Sequence, residues 1–204
     1  PSVKEEEAPL LFDETSREER LAVRRALFAH QDGLAFLPVL ASLRRRGVLQ
    51  ALAEGTSSCA LGRELGARPG PFHVTLRALA SQGWLEGWRA PRTPDDLEAG
   101  MDLRLSADGL AAFRLLEGAR ETLALAEAFL PVAEKMEGWL LRGESAPKSA
   151  PDFAELLEAR EQGWGLPSAE GNHEAAGRER LGEFFDGLIA APLLVTLTRN
   201  GLVR

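Results

Sequence analysis

The sequence has very little of several features that mark familiar classes of protein. It contains one cysteine, Cys59, and no tyrosine in 204 residues. A single cysteine excludes an internal disulfide framework and is compatible with a reducing, cytoplasmic compartment. No uninterrupted apolar run approaches the ~20 residues that a membrane-spanning helix needs, so we expect no membrane partner. Because 24 Lys and Arg face 31 Asp and Glu, the net charge is -7, which disfavours nucleic acid as a partner.

The length and the two ends of the chain indicate a piece of a larger protein. A chain of 204 residues predicts one large domain or two small ones. Residues 1–15 are acidic and aperiodic, which is typical of a loosely held tail. We expect a winged-helix domain over 16–117 and a helical, lid-like subdomain over 118–204. Because the sequence opens on Pro1 and ends directly after an apolar helical run, we expect that subdomain to continue into a further C-terminal domain.

Helical periodicity dominates the first part of the chain, where Val23, Leu27 and Phe28 repeat at helical spacing. Ser16 and Glu19 have the spacing of a capping box, in which each side chain satisfies a free backbone N–H at the start of a helix. The Asp-Gly pair at 32–33 is typical of a helix end. A second helix is expected over 34–46, and Gly47 stands where a left-handed C-cap belongs.

Two more helices and two strands follow in the first predicted domain. Residues 56–58 (Thr-Ser-Ser) predict the N-cap of a short helix, and Pro71 suits the first turn of the next one, which ends at Gly83. Alternating apolar and polar residues over 84–88 and 101–105 predict two strands. The order helix, helix, turn, helix, hairpin predicts a mainly α fold: a winged helix-turn-helix with a small β-hairpin, followed by a helical lid-like subdomain.

The second half of the sequence predicts helices separated by proline-containing segments. Pro131 lies inside a long helical pattern, where its ring should kink the helix. Residues 143–151 have the composition of a linker, and Asp152 is placed to cap the next helix. Pro192 is expected to open the final helix.

No complete catalytic site can be read from the sequence. His30, His73 and His173 are far apart, and no Cys or second His stands at ligand spacing from any of them. His30 and Asp32 could hold a metal only with ligands from elsewhere, which favours surface or capping roles for the histidines. Cys59 has no paired histidine and is interpreted as a packed residue. The Gly-Trp-Gly sequence at 163–165 follows a helical pattern and favours a turn between helices over a nucleotide-binding loop. We therefore expect no catalytic, cofactor-binding or metal-binding residue in this chain.

Arg44-Arg45-Arg46 is the one basic run in the sequence. It would suit a phosphate, either on nucleic acid or on the phosphopantetheine arm of a carrier protein. Cations in the last turn of a helix, before Gly47, are also what the helix dipole favours. We favour this role at the helix end, and we call Arg44, Arg45 and Arg46 the candidate basic patch.

The predicted helix that ends at Gly83, which is the third helix of the winged motif, offers a candidate interaction face. Opposite its buried Leu76 lie Val74, Ala78 and Ser81, with Arg77 on one flank. In DNA-binding winged helices this helix reads the major groove and usually carries Arg, Lys, Asn or Gln at such positions. Small and apolar side chains at this spacing favour close packing against another helix. The face is therefore predicted to be covered by protein, either by a later helix or by a neighbouring domain. Without that domain, the face is expected to be exposed and to form a homodimer contact.

Two stretches, 28–52 and 76–85, carry a family resemblance. They resemble the winged-helix N-terminal part of class I S-adenosylmethionine-dependent methyltransferases. The pattern L-x-x-L-x-x-x-G-x-L is matched by Leu76, Leu79, Gly83 and Leu85. The sequence is also similar to the methyltransferase and adaptor regions that open GNAT-type loading modules of bacterial polyketide synthases. Their Gln-Asp-Gly element is matched at 31–33, and their late Asp-Gly element, followed by Pro, Leu and Gly, at 186–201. The similarity covers about residues 20–204.

The resemblance implies a noncatalytic adaptor region of a polyketide synthase loading module. In that family the helices after the wing form a lid over a catalytic core, which here would begin beyond Arg204. No catalytic residue is therefore carried over, and S-adenosylmethionine is implied only for such a core. The implied partners are a neighbouring methyltransferase or GNAT-like domain of the same polypeptide and an acyl carrier protein, and the parent protein would be a transferase. Two alternatives stay open: a bacterial winged-helix transcriptional regulator, and the dimerisation half of a small-molecule methyltransferase.

Overall fold

The computed structural model describes residues 16–142, 144 and 153–202. The expected tail at 1–15, the linker apart from Glu144, and the cap at Asp152 lie outside the described residues. Within the described part, the chain is mainly helical with a small antiparallel sheet.

Ten α-helices, one 3₁₀ turn and three short strands make up the described chain. In order, they are α1 (Arg17–Arg45), α2 (Val48–Glu54), β1 (Thr56–Ser57), α3 (Ser58–Glu64), α4 (Pro69–Ser81), β2 (Leu85–Glu86), α5 (Pro94–Ala99), β3 (Asp102–Leu105), α6 (Ala107–Gly118), α7 (Arg120–Glu134), α8 (Met136–Arg142), α9 (Phe153–Glu161), the 3₁₀ turn (Gly163–Gly165) and α10 (Asn172–Arg199).

The expected hairpin is part of a three-stranded sheet. β3 is its central strand and pairs antiparallel with β2 on one side and β1 on the other. The β1 strand was not predicted, because residues 56–58 were interpreted only as a helix cap. Ser57 is the N-cap of α3 but forms no side-chain capping bond. The Ser58 hydroxyl instead accepts a hydrogen bond from the Met101 amide at 2.9 Å, which ties α3 to the start of β3.

The first helix begins as predicted but does not end where the sequence suggested. Ser16 and Glu19 form the capping box, with both reciprocal bonds present. The helix then continues through Gly33 to Arg45, so the predicted end at residues 32–33 is wrong. Gly33 serves close helix packing instead of a turn. Gly47 has φ of 71° and terminates the helix in the left-handed conformation that was expected.

The last helix is likewise longer than the sequence indicated. α10 runs without a break from Asn172 to Arg199, so Pro192 lies inside it and does not open a new helix. Pro192 is buried, and packing of the surrounding turns offsets the hydrogen bond that its missing N–H removes. At Pro131 the helix also continues, and the interruption between α7 and α8 falls at Lys135.

One continuous hydrophobic core joins the elements before and after residue 117. An aromatic cluster stands at its centre, where Phe36 of α1, Trp84 before β2 and Phe184 of α10 pack with ring centroids 5.6, 5.7 and 6.0 Å apart. Such tilted and edge-on pairs stabilise beyond the area they bury. The cluster fixes α1 and α10 against the sheet.

Two described helices, α1 and α10, are long and apolar enough to cross a membrane on length and composition alone. Their most apolar windows are 41% and 50% buried within the protein. Charged residues interrupt both helices, which is why neither appeared as an uninterrupted apolar run.

Candidate functional site

The crossing of α1 and α10 organises the molecule, and two glycines allow it. A Cβ added to Gly33 would overlap the backbone of Phe184, and one added to Gly187 would overlap the backbone of His30. Because residue 33 faces 184 while residue 30 faces 187, the two helices run antiparallel. The start of α1 therefore lies beside the end of α10.

The aspartate that precedes each of these glycines anchors a neighbouring element. Asp32 accepts hydrogen bonds from Gln82 and Arg180, both at 3.4 Å. Asp186 accepts one from Trp164 Nε1 at 3.0 Å and forms an ion pair with Arg160 at 2.9 Å. The two Asp-Gly elements on which the family resemblance partly rested are thus matching parts of a single helix crossing.

Arg180 connects the crossing to α4. Its guanidinium donates to Gln82 Oε1 at 2.9 and 3.1 Å and to Glu183 at 2.9 Å, and it lies 4.9 Å from the centre of the Phe184 ring. The cation over the ring and the bonds to Gln82 hold the C-terminal end of α4 against α10.

The candidate basic patch is largely engaged within the chain. Arg44 donates to Glu117 of α6 at 2.7 Å, and Arg45 pairs with Glu127 of α7 at 3.0 Å. The Arg44 guanidinium lowers the pKa of the Glu117 carboxyl below its usual value, with Arg120 acting in the same direction. Arg46 is exposed and forms no ion pair with another described residue. The run therefore connects α1 to α6 and α7, and it presents one of its three cations to solvent.

The candidate face on α4 lies on the surface of the chain. Val74 is 68% exposed, Ser81 and Arg77 are exposed, and Ala78 is half-buried. The Ser81 hydroxyl donates to the Ala78 carbonyl at 2.8 Å, so it is already engaged in its own helix. No described element of the chain covers this face.

A second and larger apolar surface was missed by sequence reasoning. All described side chains of α1 from 17 to 28 are exposed, although Val23, Leu27 and Phe28 had been assigned to the helix's apolar repeat. Leu27 is 43% and Phe28 49% exposed. Exposed apolar residues at the end of α10 lie alongside. We call this surface the apolar end; it comprises Leu21, Val23, Leu27, Phe28, Leu194, Val195 and Leu202.

Cations border the apolar end, although the whole chain is acidic. The first turns of α1 carry Arg17, Arg20, Arg24 and Arg25 against Glu18 and Glu19. The Arg24 guanidinium lies 5.2 Å from the centre of the Phe28 ring, so an arginine partly covers the aromatic face. The apolar repeat was visible in the sequence, but only the path of the chain shows that nothing described packs on it.

The three histidines are widely separated in the structure. His30 Nδ1 lies 3.0 Å from the Glu183 carbonyl oxygen, and His173 pairs with Asp108 at 2.6 Å. His73 is buried on α4. Among the described residues, no group of three or more His, Cys, Asp or Glu is arranged to hold a metal ion. Cys59 is half-buried and packs beside Gly100.

The Gly-Trp-Gly element forms the predicted turn between helices. All three residues have positive φ, including Trp164 at 58°, which is rare for a residue with a side chain. Trp164 is 2% exposed, stacks on Phe185 at 5.2 Å and accepts a hydrogen bond at its carbonyl from Thr122 at 2.6 Å. These contacts hold the strained backbone in place.

Comparison with known proteins gives one family match. Residues 23–87, about one third of the chain, match the family described as the AprA N-terminal domain. No curated protein and no solved structure matches the chain. The matched region runs from the second turn of α1 to one residue beyond β2, and it includes Gly33, the candidate face of α4 and the apolar repeat of α1. This part of the chain is similar to the N-terminal domain of a protein related to polyketide and nonribosomal peptide synthesis, which associates it with natural-product biosynthesis.

Proposed function

We propose that this chain is a noncatalytic adaptor region of a bacterial polyketide synthase loading module, which positions a neighbouring methyltransferase or GNAT-like domain. The match to the AprA N-terminal domain supports the biosynthetic setting. The resemblance to adaptor regions, carried by residues 31–33 and 186–201, supports the finer assignment.

The apolar end is the observation that carries the proposal. Seven large apolar side chains stand exposed on two adjacent helix ends. Contiguous apolar patches on a protein surface mark sites of interaction, because covering them removes apolar area from water at about 25 cal/mol per Å². A partner that lays an apolar helix or sheet face across both helix ends would bury the patch.

The mechanism is positional. The glycine-mediated crossing of α1 and α10, the aromatic cluster and the Arg180 contacts join the described residues between 36 and 188 in one packed unit. A domain docked on the apolar end is therefore held at a fixed angle to the sheet and to α4. That geometry determines the direction from which an acyl carrier protein approaches. Of the three arginines at 44–46, Arg46 is exposed and is available to the phosphate of the carrier's phosphopantetheine arm.

The arrangement of α2, α3, α4 and the sheet supports a winged-helix assignment for the first domain. Along the chain, the helix pair α3 and α4 precedes the antiparallel strands β2 and β3, and the sheet order is β1-β3-β2. In this arrangement α4 takes the place of the helix that reads DNA in regulators. Its outer face presents Val74, Ala78 and Ser81, none of which offers a bidentate contact to a base. We assign this face to a protein partner as well.

The decisive experiment pairs the chain with the proposed partner, a methyltransferase or GNAT-like domain. Leu27→Glu places a charge in the middle of the apolar end, and Leu157→Glu places one on α9, where the leucine is similarly exposed at 40%. In a calorimetric titration, Leu27→Glu should weaken binding at least about tenfold, equivalent to ~1.4 kcal/mol, while Leu157→Glu leaves it unchanged. Equal effects of both variants, or no binding by the parent chain, would refute the adaptor role at this surface.

The α4 face is tested separately against the regulator alternative. Ala78→Glu should weaken association with a protein partner and leave the fold intact. In a gel shift at low salt with random genomic fragments, we expect no salt-sensitive binding. Binding that Arg77→Ala abolishes and Ala78→Glu reduces would favour a transcriptional regulator.

A further inference from the structure

A groove of about 510 Å³ opens between α3 and the start of α4, away from the apolar end. Its lining includes Cys59, Gly62, Arg63, Ala67, Phe72 and His73. The volume falls within the range of sites that hold small organic ligands. Neither the proposed adaptor contacts nor the crossing of α1 and α10 uses it.

The walls of the groove are apolar and mostly flat. The Phe72 ring lies beneath Gly62, where an added Cβ would stand 3.5 Å from two ring carbons. Gly66, in the left-handed conformation at φ of 59°, has no other atom within 4 Å of its Cβ position, so the mouth is open at that side. The small residues at 62, 66 and 67, with the Phe72 ring packed behind Gly62, therefore give the groove an apolar wall.

One buried polar group at the groove has no partner. His73 is 8% exposed, and its Nδ1 forms no hydrogen bond with any described residue. Buried polar groups in proteins are almost always hydrogen-bonded, because leaving one unpaired costs free energy. His73 is also one of the residues that line the groove, which makes a ligand bound there the candidate partner.

The charge at the groove is positive. Arg63 is exposed at the rim, and its Nε donates to the Cys59 carbonyl at 3.3 Å, which orients the guanidinium along α3. Between Ser57 and Arg92 the sequence carries five arginines against Glu64 and Glu86, although the chain as a whole is acidic. The rim of the groove therefore favours an anion.

We propose that the groove between α3 and α4 binds a small organic acid with a flat apolar body, of the aryl carboxylate class. The apolar body lies on Phe72, the carboxylate pairs with Arg63, and a polar atom of the ligand satisfies His73. The site would make the wing-bearing half of the molecule a sensor or holder of such an acid, independently of what docks on the apolar end.

Benzoate is the probe, and the ring nitrogens of ¹⁵N-histidine-labelled protein are the readout. We expect a saturable shift of the His73 nitrogens and none at His173, which lies on α10 paired with Asp108. Arg63→Gln should weaken benzoate binding about tenfold, because it removes a charge-assisted hydrogen bond. Arg46→Gln, which neutralises an exposed arginine elsewhere, should leave binding unchanged. Benzyl alcohol, which is of similar shape but uncharged, should bind more weakly.

Two further outcomes decide the proposal. Ala67→Trp fills the groove from its wall and should abolish the shift while the far-ultraviolet dichroism stays that of the parent. The absence of any His73 shift at millimolar benzoate overturns the proposal. So do equal shifts at His73 and His173, or binding that Arg63→Gln and Ala67→Trp leave intact.

Discussion

Two glycines decide how closely α1 and α10 approach each other. Gly33 and Gly187 each face the backbone of the other helix, so a methyl group at either position has no space. In the sequence, each follows an aspartate, and Asp-Gly in a helical pattern is ordinarily typical of a turn. Here the glycine is needed for contact between backbones and the aspartate for an ion pair on the outer side of the crossing.

Gly33→Ala should therefore lower the free energy of unfolding by roughly 2 kcal/mol, since an added methyl forces the two helices apart. Gly182→Ala is the matched control on α10, because no atom lies within 4 Å of its Cβ position. That control should stabilise the protein by about 0.5–1 kcal/mol through helix propensity. Urea denaturation measures both, and equal effects would contradict a close crossing at Gly33.

The ion pair between Arg44 and Glu117 gives a pH-dependent contribution to stability. Because the folded state lowers the pKa of Glu117, the contribution is present above the unfolded-state pKa and is lost as pH falls through the lower, folded value. Glu117→Gln should cost about 0.5 kcal/mol at neutral pH, since the pair is partly exposed. The difference should shrink as the pH falls below the unfolded-state pKa of glutamate and disappear once Glu117 is also protonated in the folded state. A difference that persists at low pH would assign the loss to packing.

At the scale of elements, the Gly-Trp-Gly turn fixes the entry to α10. Thr122 of α7 holds the Trp164 carbonyl, and Asp186 of α10 holds its indole N–H. Trp164, in the left-handed region, is thus held by both α7 and α10. These contacts fix the position of the connection between α9 and α10.

Thr122→Val keeps the shape of the side chain but removes its donor. It should lower the free energy of unfolding by about 1–3 kcal/mol, because a buried carbonyl loses its partner. Thr75→Val is the control, since the Thr75 hydroxyl bonds only to the Pro71 carbonyl within its own helix. Thermal unfolding followed by circular dichroism should separate the two variants. Similar melting temperatures would show that the turn does not depend on this bond.

Most helices could be predicted from the sequence, whereas α5 and several helix boundaries could not. The capping box at Ser16 and the glycine at Gly47 depend on local hydrogen bonds, so they were predicted correctly. Gly33 and Pro192 are ordinarily helix-ending residues, but each lies in a helix held by contacts with residues more than 100 positions away. A single sequence contains no direct record of those contacts.

At the scale of the whole molecule, the chain is proposed to act by position and not by chemistry. The described residues offer no ligand cluster for a metal, and the Gly-Trp-Gly element is occupied by a buried tryptophan. We expect calorimetric titration of the isolated chain with S-adenosylmethionine, or with a divalent metal, to show no binding. Micromolar affinity for either would require a catalytic interpretation.

The candidate surfaces could be predicted only in part. Helical periodicity placed Val74 and Ala78 opposite Leu76, and the structure has Leu76 buried, Val74 exposed and Ala78 half-buried. The role of this face as an interaction surface stays a prediction. The apolar repeat of Val23 and Leu27 was also visible, but periodicity cannot say whether a helix face meets the core or projects beyond it. That distinction depends on the length by which α1 extends past the body of the protein.

Hydrogen exchange of the backbone amides of residues 17–28 tests the central claim most directly. The comparison is between the chain alone and the chain mixed with the proposed partner, a methyltransferase or GNAT-like domain, with α9 residues 154–161 as the internal reference. If the apolar end is an adaptor surface, exchange over 17–28 should slow markedly in the presence of the partner while the reference segment is unchanged. Identical exchange over 17–28 in both samples would contradict the account.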